Sequence, residues 1–491
     1  MSKKFFVIIA LTALCICVVS CAPDKNTDNR GSTESNNGGN MAQNTGNGRF
    51  VSDAPVTDMK GYNFKFMNIA DIGWGMHIMD AEEQTGEPIS DAFYLRNRYI
   101  ESLYNCTISE EGFEWSSIAN KLKTNARAND FTYDAYMVFL HAAGPLAQEG
   151  ILCNFHNIPN IDLSKPWWDQ NIVRDLTICG SLFFATGDIN MFANDATWIL
   201  YFNKRLQAES GVENLYDLVA SGKWTFDKFL GIIKNQTKDL DGNGVINYGD
   251  QVGFVTHQPS AGAFFQAAGE SVFVRQGDDI VINISKPRFS MVYDKIMEIM
   301  NHEATMNTTN TKRWKFTDIK QDPIDDTFTE GKAMFCGEVT DCIARFRYME
   351  DSFGILPFPK FDESQEGYNN LVIGEGCLAL CVPQGYPEPD SLGAVLDALA
   401  AESRNRILPA YYEMSLKRKH TRDEESAAML DLIFSNRSYT FDAIFDWGKL
   451  GTKIFESITN DNNSLASIYE KSSAATEKDI DKALEKYAAL K

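Results

Sequence analysis

The chain has 491 residues, of which 44% are hydrophobic and 23% are charged. Such a chain can bury one or more large cores, so disorder over its whole length and a single small module are both excluded. Its length predicts two or three domains, or two lobes that share segments of the chain. Its 46 basic and 67 acidic residues give a net charge of -21. Because this charge repels phosphate backbones, it argues against a nucleic-acid partner.

Residues 1–20 have the pattern of a signal peptide. Two lysines precede an uncharged apolar stretch over residues 5–19, which is short for a membrane span and has the length of a signal core. The stretch leads through small and aliphatic residues into Cys21, and this junction resembles the lipobox of bacterial lipoproteins. The resemblance implies cleavage before Cys21, which would then carry the lipid. The alternative is an ordinary signal peptide followed by an incidental cysteine.

Residues 21–55 predict a flexible tether. The segment is dominated by Asn, Gly, Ser, Thr and Asp, which bury too little apolar surface to offset the entropy lost on ordering. As a coil it would span about 30 Å. The sequence therefore predicts a globular body anchored by lipid at the extracytoplasmic face of the cell membrane. Seven cysteines lie beyond Cys21, an odd number without zinc-site spacing, which predicts buried thiols rather than a disulfide framework.

Beyond the tether, strand and helix patterns alternate, which is typical of an α/β fold. The continuously apolar run at 135–140 suits a parallel sheet that is covered on both faces. In chain order the patterns predict strands at 62–70, 106–108 and 134–140 and helices at 91–104 and 115–128, then, from about residue 197, strands at 198–203, 251–254, 354–357 and 377–382 and helices that begin at Thr225, Pro287 and Thr476. The chain is thus predicted to contain two α/β regions.

Residues 239–250 form the strongest local motif and predict a calcium loop. Oxygen-bearing side chains fall at positions 1, 3, 5, 9 and 12 of this segment, with Gly244 at position 6 for the tight turn that a single short loop needs around the ion. The predicted ligands are Asp239, Asp241, Asn243, the carbonyl of Val245, Asn247 and Asp250. A strand pattern follows the loop instead of an EF-hand helix, so a structural ion is expected. The alternative is a metal-free surface turn.

The sequence contains no motif of a common catalytic class. GxSxG, HExxH, the Walker phosphate loop and GxGxxG are absent, and the six histidines form no close pair. These absences predict a protein that is not an enzyme. A chain with 67 acidic residues can still place two carboxylates across a glycosidic bond, so a surface glycoside hydrolase stays an alternative.

Several segments in order resemble the extracellular solute-binding proteins of ABC importers, family 1, the group that includes maltose-binding proteins. The segments that carry the likeness are residues 134–138 (DAYMV), 146–152 (LAQEGIL), 198–204 (WILYFNK), 222–227 (GKWTFD), 328–334 (FTEGKAM) and 353–360 (FGILPFPK). The resemblance implies a two-lobed α/β fold with a hinge. It implies an N-terminal lobe of residues 56–188 and 338–405 and a C-terminal lobe of residues 189–337 and 406–491.

The same resemblance implies that the protein, as a lipid-anchored monomer, delivers a carbohydrate, expected to be an oligosaccharide, to the permease subunits of an importer. A non-transport adhesive lipoprotein is a further alternative, and peptides or other solutes stay open as ligands. In α/β folds the ligand sits at the carboxyl ends of the parallel strands. Residues at such positions that could stack on a sugar or bond its hydroxyls are Asp71, Trp74, His141, His257 and Glu338. Trp447, which lies next to Asp446 in a late loop of the second lobe, is a further candidate.

Overall fold

The structure, a computed structural model, describes residues 48–70, 78–316, 322–417 and 424–490. The predicted signal peptide, Cys21, most of the predicted tether, Asp71 and Trp74 lie outside these residues. The strands are β1 Tyr62–Ile69, β2 Cys106–Phe113, β3 Ala135–Phe139, β4 Trp198–Asn203, β5 Val252–Thr256, β6 Phe273–Gln276, β7 Asp279–Ile282, β8 Thr305–Asn307, β9 Ala333–Val339, β10 Phe353–Leu356, β11 Asn370–Leu371, β12 Leu378–Cys381 and β13 Arg437–Ser438.

Helices surround these strands. In chain order they are α1 Pro88–Tyr104, α2 Ile118–Ala128, α3 Leu140–Gln148, α4 Gln170–Leu176, α5 Phe192–Asp195, α6 Lys204–Ser210, α7 Leu215–Ala220, α8 Phe226–Ile233, α9 Ser260–Ala267, α10 Pro287–Asn301, α11 Pro323–Thr329, α12 Cys342–Phe346, α13 Pro389–Lys417, α14 Glu424–Ser435, α15 Phe441–Ile444, α16 Leu450–Thr459 and α17 Leu465–Ala489. Three single 3-10 turns lie at Trp115–Ser117, Phe155–Asn157 and Trp447–Lys449. None of the described helices is long and apolar enough to cross a bilayer.

The strands form two main sheets. The first sheet has the order β12-β3-β1-β2, and the second has the order β10-β4-β9-β5-β8. In the first sheet β1 runs parallel to β2 and β3, whereas β12 runs antiparallel to β3. In the second sheet β9, β5 and β8 are parallel, and β4 and β10 are antiparallel to their neighbours. The run at 135–140 was expected in a parallel sheet but lies in a mixed one. The chain returns to the first sheet after the strands of the second, and β12 then pairs with β3 in the antiparallel direction.

Local sequence patterns account for most of these elements. The N-cap of α8 is Thr225, whose side chain accepts a hydrogen bond from Lys228 N, and its buried residues include Phe226, Phe229, Leu230 and Ile233, as predicted. The helix predicted from Pro287 is also confirmed, with Pro287 in its first turn. The start predicted at Thr476 is wrong. Helix α17 begins at Leu465, because the residues before Thr476 pack on α16, and Thr476 is buried inside the helix.

Aromatic side chains fill the core on one face of the second sheet. Phe229 contacts Trp224, Phe254, Phe264 and Phe335 at ring-centroid distances of 5.1 to 5.9 Å. Each of these rings is fully buried. The pairs with Trp224 and Phe254 are edge-to-face, an arrangement that stabilises a core beyond the area it buries. This packing fixes the strands whose ends form the second half of the candidate site.

Buried polar contacts hold the segments that connect the two sheets. Arg437 lies 3.1 Å from the carboxylate of Asp169 and also donates a hydrogen bond to Asn194. Tyr439 donates to the same carboxylate at 2.8 Å. Removal of one partner from a buried ion pair leaves an uncompensated charge, so this cluster restrains how the connecting segments pack.

The two sheets draw their strands from different parts of the chain. Strands β1, β2, β3 and β12 lie within residues 56–188 and 338–405, and β4, β5 and β8 lie within 189–337. Strand β10 falls inside the range 338–405 but pairs with β4 in the second sheet. Strand β9 crosses residue 338, which was expected to be a boundary. Sheet membership therefore places the return to the first sheet after β10.

Candidate functional site

The carboxyl ends of β1, β2 and β3 lie at one edge of the first sheet. A cavity of about 140 Å³ opens there. Its lining includes Ile69 at the end of β1, Trp115 just after β2, and Phe139 and His141 at and after the end of β3. We call Trp115, Phe139 and His141 the first edge.

The first edge presents aromatic faces. The Trp115 side chain is 49% exposed and meets Phe139 edge-on at 6.1 Å. The His141 ring stacks on Phe139 at 5.8 Å, with 22° between the ring planes, and its Nδ1 lies 3.2 Å from the carbonyl of Gly374. A side chain at Gly374 would collide with the carbonyl of Ala443, so a glycine is needed where these two segments approach each other. The edge can thus offer a ring face to an apolar surface of a ligand.

The second sheet brings two of the predicted ligand residues together. Glu338 is near the end of β9, and His257 directly follows β5, which runs parallel to β9. The Nε2 atom of His257 lies 3.2 Å from Oε1 of Glu338. Trp198 begins the antiparallel β4 opposite Val339, so the start of that strand lies at the same edge. Its indole meets the imidazole of His257 at 5.3 Å. We call Trp198, His257, Asn307 and Glu338 the second edge.

Two buried nitrogen atoms at the second edge lack a hydrogen-bond partner among the described residues. They are Nε1 of Trp198 and Nδ2 of Asn307. Asn307 ends β8 and lies opposite Thr256, the last residue of β5. Trp198 and Asn307 are each 1% exposed. Buried polar groups are almost always bonded, so two unpaired nitrogens at the ends of strands in one sheet indicate a place for water or a ligand.

A buried ionic group lies behind Glu338. The Oε2 atom of Glu338 accepts a hydrogen bond from Val339 N at 3.2 Å and lies 3.7 Å from the sulfur of Cys342. Arg345 donates to that sulfur and pairs with Asp325 at 3.2 Å. Burial raises the pKa of Asp325 to about 6, although Arg345 opposes the shift, and burial also raises the pKa of the Cys342 thiol. The Cys342 sulfur thus connects the Glu338 carboxylate with the Arg345–Asp325 pair.

Backbone hydrogen bonds connect the first edge with the second. His141 N donates to Gly374 O at 3.3 Å, Ile373 N donates to Ala196 O at 3.0 Å, and Thr340 N donates to Thr197 O at 3.0 Å. Gly374 and Ile373 are neighbours in the chain, as are Ala196 and Thr197, so these three bonds form a continuous path. The path ends at Thr340, two residues after Glu338. The path therefore links the segments that carry the two edges.

Trp447 does not join either edge in this structure. Its ring stacks on Phe445 at 4.8 Å, with only 4° between the planes, and also contacts Phe273 and Phe441. The side chain is 5% exposed. The expectation of a sugar-stacking platform at Trp447 is therefore replaced by packing in an aromatic cluster, because neighbouring rings already occupy its surface.

The predicted calcium loop brings its carboxylates together. Oxygen atoms of Asp239, Asp241 and Asp250 lie within 4.8 Å of one another. Asp239 accepts hydrogen bonds from the backbone of Gly242 and Gly244, each at 2.7 Å, and the bond from Gly244 lowers the pKa of Asp239 most. Asp250 accepts from the backbone N of Leu240 at 2.8 Å and of Asn247 at 2.9 Å. Gly244 has a φ of 81°, the left-handed turn expected at position 6.

The donor set of this loop fits calcium. No lysine or arginine of the described chain pairs with Asp239, Asp241 or Asp250, so their mutual repulsion has no side-chain counter-charge. Hard cations prefer carboxylate and carbonyl oxygens, and both kinds are present here. The carbonyl of Val245, a further predicted ligand, accepts a hydrogen bond from Asn247 Nδ2 at 3.1 Å. The sixth predicted ligand, Asn243, accepts from Val245 N at 2.8 Å.

Sequence reasoning missed four residues of the two edges. Phe139 was read as part of the strand predicted at 134–140 and not as a ligand residue. Trp115 falls within a segment read as helix, because the strand before it was expected to end at residue 108 and instead runs to Phe113. Trp198 was read as an ordinary strand residue, since the antiparallel direction of β4 is not visible in the sequence. Asn307 ends a strand of three residues, which is too short to show an alternating pattern.

No protein-family model matches the chain, and no curated protein matches it in sequence. Solved structures do match its fold. M. tuberculosis UspC aligns at 15% identity with a TM-score of 0.57, covering 85% of this chain and 99% of that chain. The ABC substrate-binding protein Lmo0181 from Listeria monocytogenes, in complex with cycloalternan, aligns at 13% identity with a TM-score of 0.56, covering 86% and 99%.

A third match is the galacto-N-biose-/lacto-N-biose I-binding protein of the ABC transporter from Bifidobacterium longum, solved in complex with lacto-N-biose. It aligns at 11% identity with a TM-score of 0.55, covering 87% of this chain and 98% of that chain. At these identities the likeness concerns the fold. The chain has the two-lobed α/β fold of solute-binding proteins, and the fold class predicted from the sequence is confirmed.

Proposed function

We propose that the protein binds an oligosaccharide between its two lobes and delivers it to an ABC importer. The fold supports this proposal, since matched proteins of the same architecture carry carbohydrate in their solved complexes. In the proposed division the lobes follow the expected ranges, except that β10 joins the C-terminal lobe. A hinged pair of lobes binds by closing on the ligand, which hides it from water.

The single observation that carries the proposal is the set of unpaired nitrogens at the second edge. Sugar hydroxyls accept hydrogen bonds through oxygen lone pairs and also donate them. Trp198 Nε1 and Asn307 Nδ2 can donate to such oxygens, and the Glu338 carboxylate can accept from the hydroxyl of the same ring. A sugar would satisfy buried groups that the described protein leaves unpaired.

The first edge complements the second. The ring of Trp115 is half exposed beside His141, so it can stack on the apolar CH face of a sugar. Asp71 and Trp74 follow β1, whose carboxyl end lies at the same edge, and we retain them as proposed ligand residues. Together the edges would offer a stacking surface on one side and hydrogen-bonding groups on the other.

A glycan panel tests this function. Calorimetric titration of the purified protein with neutral oligosaccharides should show saturable binding, and chromatography after incubation should recover every sugar unchanged. Shortened products would identify a glycoside hydrolase instead, because a binding protein leaves the glycosidic bonds of its ligand intact. Binding to peptides with no response to any glycan would contradict the carbohydrate assignment.

We also propose that the protein works as a monomer anchored through Cys21. The junction at Cys21 supports this proposal through its lipobox-like pattern. Cys21→Ser should move the protein from the membrane fraction to the soluble fraction, since the thiol and amino group of Cys21 would be the attachment points. Retention of the variant in high-salt washed membranes would contradict the anchor. Cross-linking with permease subunits of a neighbouring importer would test the partner.

Calcium is a further proposal, supported by the convergent carboxylates of residues 239–250. An ion that binds only the folded state stabilises it by about 2.7 kcal/mol at a hundred times its Kd. Chelation should therefore lower the melting temperature, and Asp241→Ala should abolish that response. The matched control is Asp278→Ala, which removes one acid from the turn between β6 and β7. An unchanged melting curve with chelator would exclude a structural ion.

A further inference from the structure

A second cavity lies beside Trp447, at the other end of α3 from the first edge. Its volume is about 400 Å³. It is lined by Gln148, the last residue of α3, by the turn that contains Trp447 and Lys449, and by Lys482 and Lys486 of α17. Gln148 follows His141 by seven residues, about 10 Å along the helix. We call this space the lysine cavity, and it is separate from the proposed sugar site.

The lysine cavity concentrates positive charge in an acidic protein. Lys482 and Lys486 are four residues apart and so lie on one face of α17, while Lys449 comes from the turn before α16. Within the described residues, Lys449 and Lys486 form no ion pair. Lys482 has only a distant contact of 3.9 Å with Asp479. Three lysines from two elements thus line one space together with two acids, Asp446 and Asp479, which leaves an excess of positive charge there in a chain whose net charge is -21.

Two acids, Asp446 and Asp479, also line the cavity, and Asp446 is engaged by other groups. Asp446 accepts a hydrogen bond from Gly451 N at 2.8 Å and from the hydroxyl of Thr452 at 2.6 Å. Both donors lie at the start of α16, where the helix dipole also stabilises a carboxylate. The carboxylate therefore binds the helix end, and in the part of the chain that the structure describes it forms no ion pair with the three lysines.

The turn that carries Trp447 is held in an unusual backbone conformation. Asp446, Gly448 and Lys449 all have positive φ, at 38°, 63° and 53°. A side chain at Gly448 would collide with the Thr476 hydroxyl. Left-handed conformations are costly for residues with a Cβ and persist where the surroundings impose them. The conformation fixes the Trp447 ring against Phe445 and keeps Lys449 beside the cavity.

A buried donor adjoins the lysines. The Nε1 atom of Trp447 has no hydrogen-bond partner in the described chain, although the residue is 5% exposed and lines the cavity. A buried indole N–H can only donate, so it requires an acceptor such as an oxygen atom. An unpaired N–H and three ammonium groups around one cavity share a single chemical preference, for an oxyanion.

We infer that the lysine cavity binds a phosphate group, presented either by a small solute or by a phospholipid headgroup. Lys449 and Lys486 supply the charge, and Trp447 Nε1 supplies a directional hydrogen bond. Occupation would neutralise lysines that lack counter-charges and would satisfy the buried indole. The inference is independent of the sugar site, because the two cavities share no lining residue.

Titration with inorganic phosphate at low salt tests the inference. The wild type should bind saturably, and Lys449→Gln with Lys486→Gln should weaken binding about tenfold or more, since charged hydrogen bonds are lost. Trp447→Phe keeps the aromatic stack but removes the N–H, and should weaken binding about fivefold. The matched control is Lys471→Gln with Lys478→Gln, which makes the same change in charge on exposed positions of α17 outside the cavity.

A vesicle arm separates the two sources of phosphate. The protein carries Cys21→Ser in this arm, so that no acyl chain can hold it to the bilayer, and is mixed with phosphatidylglycerol or phosphatidylcholine vesicles. Binding to phosphatidylglycerol that the cavity variant loses would assign a headgroup, and binding to free phosphate alone would assign a solute. The absence of both, or an equal loss in the control variant, would overturn the inference. Melting curves of all variants show whether they are folded.

Discussion

The two edges of the proposed sugar site differ in which groups they leave available to a ligand. At the first edge the Trp115 ring is 49% exposed, and the cavity beside it is lined mainly by apolar and aromatic side chains. At the second edge Trp198 is 1% exposed, and what it lacks is a partner for its N–H. One edge therefore offers ring surface, and the other offers polar atoms.

This difference shows that a tryptophan can serve a ligand in two ways. An exposed ring contributes contact area, which its removal would subtract directly from the binding free energy. A buried indole contributes one directional bond, and its ring mainly stabilises the fold. The two roles can be separated by experiment, because they predict different ratios between lost affinity and lost stability.

The largest expected effect comes from Trp115. Trp115→Ala should weaken binding of the best oligosaccharide about thirtyfold, since truncation of a central aromatic anchor costs about 2 kcal/mol. The free energy of unfolding should change little, because half of the ring is already in water. Calorimetry and denaturant unfolding measure the two quantities. Met291→Ala, at a 59% exposed position of α10, is the control. Equal affinity in wild type and Trp115→Ala would remove the first edge from the site.

The next effect concerns the acceptor of the second edge. Glu338→Gln keeps the shape of the side chain but removes its charge, and should weaken sugar binding about tenfold because charge-assisted hydrogen bonds are the stronger kind. Calorimetric titration with the same sugar measures the change. Glu303→Gln removes an exposed charge elsewhere in the same sheet region and should leave binding unchanged. An equal loss in both variants would indicate a general effect of charge.

A matched pair of tryptophans then separates binding from stability. Trp198→Phe removes an N–H without a protein partner, so it should weaken sugar binding about fivefold while stability changes little. Trp224→Phe removes an N–H that donates to Pro357 O at 2.9 Å, so it should lower the unfolding free energy by about 1 kcal/mol or more and leave affinity unchanged. The reverse pattern would show that the second edge does not contact the ligand.

The smallest expected effect is the pH dependence of stability that arises from Asp325, in the buried ionic group near Glu338. Burial raises the pKa of Asp325 to about 6 in the folded protein, above about 3.9 in an unfolded chain. Its contribution to stability is therefore complete below about pH 4 and is lost as the pH rises through about 6. Against Asp325→Asn, the wild type should lose about 1 kcal/mol between pH 4 and pH 7, a value reduced for partial solvent screening. If the difference in unfolding free energy between wild type and Asp325→Asn is the same at both pH values, this assignment is contradicted.

Part of the candidate site could be predicted from the sequence because the rule for it is local. A polar residue directly after a buried strand lies at a sheet edge, and this is where the structure has His141 and His257. Local sequence could not show which side chains pack on Trp447, and in the structure Phe445 covers its ring. Which side chain packs on a given tryptophan depends on distant segments, so local patterns could not separate a platform from a core residue.

The sequence by itself determined the features that depend on near neighbours. Helix α8 with its cap at Thr225, the strand at 198–203 and the glycine turn of residues 239–250 follow from periodicity, capping and backbone freedom. Only the tertiary structure decided the direction of β4, the pairing of β10 with it, and the meeting of Trp198, His257 and Glu338. Strand order and direction arise from contacts between residues far apart in the chain, and no short window of sequence encodes them.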